Sequence, residues 1–135
     1  MNGLLVSVLV MAVAVGACGV PRRDVPTAEV AKLTSLKDVM DVQSTIADPE
    51  LKKRDATSFT DADYAAFNEV SSRIQATSAK AKEFSKGPAF DKLADQLHET
   101  AVSLGKAATA KDAKASAESL TAMNAVCKDC HAKFD

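Results

Sequence analysis

The sequence predicts an all-α protein, an up-down-up-down four-helix bundle, and three observations carry that expectation. Apolar residues recur at alternating steps of three and four in four successive segments, the spacing that puts them on one face of a helix. The breaks between segments fall at Asp48-Pro49, at Lys86-Gly87-Pro88 and before Asp112, where turn or capping chemistry is available. Alanine is abundant and no stretch shows the β-branched alternation of a half-buried strand. With 135 residues, 47% of them hydrophobic, the chain can bury one core and not two, so a single domain is expected. The net charge of −1 and an aromatic content of 4% supply neither a cationic field nor stacking platforms, which excludes nucleic-acid binding.

The first helix is expected from Ala28 to about Ala47, with Thr27 as its cap and Glu29 in the first turn, where negative charge suits the dipole. Its stripe is Val30, Leu33, Leu36 and Met40, then less regularly Val42 and Ile46, and Asp48-Pro49 should stop it. From Pro49 to Phe59 the pattern lapses into a charged connection. Thr60-Asp61-Ala62-Asp63 has the form of a capping box and opens the second helix, whose face is Phe67, Val70, Ile74, Thr77, Ala81 and Phe84. Gly87 suits the position just past that helix, and Pro88 suits the first turn of the third. The third helix, about Pro88 to Thr109, should bury Phe90, Leu93, Leu97, Ala101, Leu104 and Ala108, leaving His98 partly exposed at the stripe's edge. Asp112 caps the fourth helix, which carries Leu120, Met123, Cys127, Cys130 and Phe134 inward.

The fourth helix ends on Cys127-Lys128-Asp129-Cys130-His131, the Cys-x-x-Cys-His attachment signature of a c-type haem. On a helix, residues i, i+3 and i+4 share a face, so two thiols can reach the two vinyl groups of one porphyrin while the imidazole meets the iron. Cys127 and Cys130 would be the covalent thioethers and His131 the proximal iron ligand, with one haem c attached near the C-terminus of the fourth helix. The same pair could supply half of a zinc site, but a zinc site needs a fourth ligand, and apart from Cys18 only His98 remains. That leaves a non-haem zinc or structural helical protein as the reading of another class.

Residues 1–17 contain the uncharged run Leu4 to Val15, of signal-peptide length and too short to span a bilayer comfortably. Val15-Gly16-Ala17-Cys18 resembles the lipobox of bacterial lipoproteins, which implies cleavage before Cys18 and lipid on its sulfur. The usual Lys or Arg is missing from Met1-Asn2-Gly3; an ordinary signal peptide cut near Ala17, or an uncleaved anchor, would still give export. Residues 18–26 then form the lipidated N-terminus and tether, the eight residues after Cys18 spanning at most roughly 26–29 Å at full extension, and residues 27–135 form the bundle domain. Export agrees with the haem motif, because this attachment is made outside the cytoplasm in bacteria. The expected location is the periplasm, lipid-anchored to a membrane.

With its haem motif closing the fourth helix, the chain resembles the cytochrome c′ and c-556 family, the class II c-type cytochromes. In that family the residue facing the iron from the first helix is a methionine in low-spin electron carriers or an apolar blocker in five-coordinate gas-binding members. The resemblance implies that Met40 is the distal iron ligand. The family's frequent arginine four residues earlier is replaced here by Leu36, with Lys37 next to it. The implied function is a membrane-tethered monohaem electron carrier, not an enzyme, that exchanges electrons with unidentified redox partner proteins. The alternative is a five-coordinate haem that binds NO or CO. The resemblance further implies a homodimer paired through the first two helices.

Overall fold

The structure, a computed structural model, describes residues 24–135. The expected signal peptide, Cys18 and most of the tether lie outside the described residues. Among the described residues there are four long helices and no strand: α1 (Leu36–Leu51), α2 (Asp61–Ala81), α3 (Pro88–Thr109) and α4 (Ala113–Phe134).

The first helix differs from its expected bounds at both ends. Thr27–Lys32 forms a separate 3₁₀ turn with no side-chain cap, Leu33 is extended, and α1 starts only at Leu36. Ser35 is the cap, its hydroxyl accepting the Asp38 N–H at 3.1 Å. Breaking the chain at residues 33–35 lets Val30 and Leu33 reach a cluster with Val39, Val42 and Ala81, which one straight helix would not allow. At the other end α1 runs through Pro49 to Leu51. Proline costs about 3 kcal/mol in a helix interior, but here it sits in the last turn. There the continuation buries Ala47 and Leu51 against Tyr64 and Phe67, and a buried leucine is worth about 1.5–3 kcal/mol.

The second helix starts as expected. Thr60 Oγ1 accepts from the Asp63 N–H at 3.2 Å, and Asp63 Oδ2 accepts from the Thr60 N–H at 2.8 Å. The Lys53 ammonium beside Asp63, together with these Thr60 donors, holds that carboxyl down at about 2. Beyond Ala81, α2 tightens into a 3₁₀ turn, Lys82–Phe84. Gly87 therefore does not close α2; with φ 112° it stands at the N-cap of α3, directly before Pro88. The link to α4 needs one left-handed residue, Lys111, whose carbonyl accepts the Tyr64 hydroxyl at 3.0 Å, and Asp112 caps α4 by accepting from the Ala115 N–H at 2.9 Å.

These ties make neighbouring helices antiparallel. Tyr64, in the first turn of α2, meets the α3–α4 link, while Lys82, just past α2, pairs with Asp95 near the start of α3 at 2.7 Å. The end of α4 returns to the start of α3, where the Phe134 and Phe90 rings meet edge to face at 5.4 Å. The main core joins Phe67 and Ile74 of α2, Leu104 of α3 and Leu120 and Met123 of α4, each essentially free of solvent. Gly105 lets α2 and α3 approach closely: a Cβ there would run into the Ser71 side chain, with Ser71 Cβ only 3.1 Å away, and the Ser71 hydroxyl donates to the Ala101 carbonyl at 2.6 Å. Of the four adjacent helix pairs, α1 and α4 touch least.

Candidate functional site

The sparsely packed α1–α4 seam contains the haem motif. In the last turns of α4, Cys127, Cys130 and His131 share one face, as their spacing requires. All three line a narrow cavity of about 30 Å³ together with Met40 and Gln43 from α1, closed by apolar side chains of α3 such as Phe90 and Leu97. Met40, Gln43, Cys127 and His131 also border a more open recess of about 480 Å³ that runs along the seam toward Asp48 and Lys128. The two spaces share these four side chains as a common wall, so the motif and Met40 face one region from opposite helices.

Both cysteines are free thiols. Burial pushes the Cys127 thiol up to about 11, with the Asp48 carboxylate and Cys130 adding to the shift; burial also raises Cys130, which Lys86 partly offsets. They are therefore neutral S–H groups near pH 7, turned toward an apolar space. Met40 is half-buried and packs against the cluster of Val39, Val42 and Phe90. His131 is more open, its side chain 52% exposed, and its Nδ1 lies 2.6 Å from Asp135 Oδ2.

Gln43 was not singled out from the sequence. It lies one turn beyond Met40, lines the same cavity, and its Nε2 is buried with no hydrogen-bond partner. A buried donor left unpaired costs about 1–3 kcal/mol, so the seam holds an amide that a polar group between α1 and α4 would satisfy. Two thiols and an imidazole on one face, a thioether opposite, an apolar wall and an orphaned donor are a set that fits an iron porphyrin. The spacing of Gln43 from Met40, i to i+3 on one helix face, was the available signal.

The other sequence candidates lie elsewhere. His98 sits half-buried in the α2–α3 seam, its Nδ1 3.3 Å from the Gln75 carbonyl and 3.5 Å from Ser78 Oγ, so it brings no fourth ligand to the cysteines. Among the described residues no group of three or more His, Cys, Asp or Glu side chains could hold a metal ion. Lys37 is exposed and pairs with Asp41 at 2.7 Å, while Leu36 packs into the cluster beneath Met40.

A four-helix bundle with a haem-attachment motif at the end of its last helix, facing a gap to its first, defines the class II c-type cytochromes. The family model for cytochrome c′ matches residues 28–135, and the chain belongs to that family. No curated protein and no solved structure gives a significant match. As a family member the protein binds one covalently attached haem c. Proteins of this family are typically periplasmic; no helix among the described residues is long and apolar enough to cross a membrane.

Proposed function

We propose that the protein is an exported, membrane-tethered electron carrier whose haem iron is held between His131 and Met40. The observation that carries this reading is that Met40 and His131, from different helices, line one cavity with both thiols of the motif. In this reading Cys127 and Cys130 would hold the porphyrin through thioethers at its vinyl groups, and the His131 imidazole and the Met40 thioether would be the protein groups offered to the iron. When bound, the group supplies a one-electron couple. A Met40 thioether on the iron would favour its reduced state and raise the potential, and ligation by both His131 and Met40 would leave no vacant site for a substrate. The apolar wall of Phe90 and Leu97 excludes water, which limits reorganisation when the charge changes. Cys18 would carry the lipid that keeps the domain at a membrane surface.

The test of the axial assignment is Met40→Ala, which should convert a low-spin spectrum to high-spin and open the iron to CO. The tether is tested separately by Cys18→Ser, which should move the protein from the membrane fraction to the soluble one; palmitate labelling that persists in that variant would refute lipidation at Cys18.

One observation favours the second reading, a five-coordinate haem that binds NO or CO. The unpaired Gln43 Nε2 lies on the Met40 side of the cavity, where it could donate to a bound diatomic. An unaltered protein that is already high-spin and takes up CO readily would put this reading first and leave Met40 as packing.

A further inference from the structure

We infer that Asp135 is a positioning residue for the proximal ligand, one that sets the orientation and tautomer of the His131 ring and its electron donation, and thereby lowers the potential of the iron. The inference rests on His131 being that ligand, as proposed above. Asp135 follows His131 by four residues, and its backbone N–H donates to the His131 carbonyl at 3.2 Å, closing the last turn of α4. That turn stacks the carboxylate over the imidazole, with Oδ2 2.6 Å from Nδ1. His98 has no such partner; only a carbonyl and a hydroxyl stand near its Nδ1.

The bond has two consequences. A carboxylate accepts only from a protonated ring nitrogen, so it holds the hydrogen on Nδ1 and leaves the Nε2 lone pair for iron, the tautomer a haem ligand needs. By drawing on the Nδ1–H it also makes the ring a stronger electron donor, which stabilises the oxidised iron over the reduced one. This pull opposes that of a Met40 thioether, so the two faces of the haem would move the potential in opposite directions. The pair is half open to water, with side-chain exposures of 52% and 72%, which keeps the effect below that of a buried carboxylate–histidine pair.

The experiment compares reduction potentials of the haem-loaded protein, unaltered and as Asp135→Asn, Asp135→Ala and Asp135→Glu. Asp135→Ala and Asp135→Asn should raise the potential, by up to about tenfold in the equilibrium ratio of reduced to oxidised iron, ~59 mV for a one-electron couple. Asp135→Glu, which keeps a carboxylate on the same helix face, should restore the original value. In a Met40→Ala background the iron–histidine stretching frequency of the reduced protein should fall when Asp135 is also alanine, a change that loosened packing alone would not give. Equal potentials across all four proteins overturn the role of Asp135. His131→Ala separates the two failures: loss of the native spectrum keeps His131 as ligand, whereas an unchanged spectrum overturns that assignment and this inference with it.

Discussion

Replacing both Cys127 and Cys130 by serine removes the two sulfurs while keeping side chains of similar size, so it isolates covalent attachment. Haem-dependent peroxidase staining on a denaturing gel is expected to vanish, with export unchanged; staining that survives would show that the thioethers lie elsewhere. That these two residues and His131 share one face of α4 was readable from spacing alone, because a motif confined to five consecutive residues on one helix needs no tertiary information. The place of Met40 on the cavity wall was expected only from the family resemblance, since among Leu36, Val42 and Ile46 it is indistinguishable from a core methionine by pattern. Gln43 was not legible, nor was the buried Ser116 hydroxyl of α4, which lies outside the site. Each has a buried polar atom without a partner, and that depends on how closely two helices pack, which no single segment encodes. Asp135 was readable in principle, four residues past His131, but only the 2.6 Å contact gives that spacing a role.

At the scale of the helices, local chemistry was legible where it was self-contained. The Thr60–Asp63 box, the Asp112 cap and the Pro88 start all form as read, since each needs only neighbouring residues. The ends of α1 were misread because non-local packing decided them: Val30 and Leu33 at one end and Leu51 at the other find partners on α2 or beyond. The α2–α3 seam carries the sharpest expectation at this scale. In a helix interior Gly→Ala ordinarily gains about 1 kcal/mol, but at Gly105 the new Cβ would strike Ser71, whose hydroxyl is held by the Ala101 carbonyl. Overpacking of this kind costs about 1–3 kcal/mol. Gly105→Ala should therefore lower the urea midpoint, and adding Ser71→Ala should recover much of the loss. A Gly105→Ala protein as stable as the parent would mean that the seam can widen freely.

For the molecule as a whole, three tight seams and one loose one give the bundle its use. Packing between α2 and α3 and between α3 and α4 builds a rigid frame, and the remaining α1–α4 gap presents a thioether on one wall and the attachment motif on the other. The sequence conveyed the number, order and polarity of the helices. It could not convey that α1 and α4 stay apart, because apolar stripes on both would equally suit close contact. The central claim is that this gap is filled by a haem whose iron is closed on both sides, by His131 and by Met40. The absorption spectrum of the reduced, unaltered protein before and after exposure to CO tests it most directly. A low-spin spectrum that CO leaves unchanged is the expected result; a high-spin spectrum that shifts promptly on CO binding would contradict it.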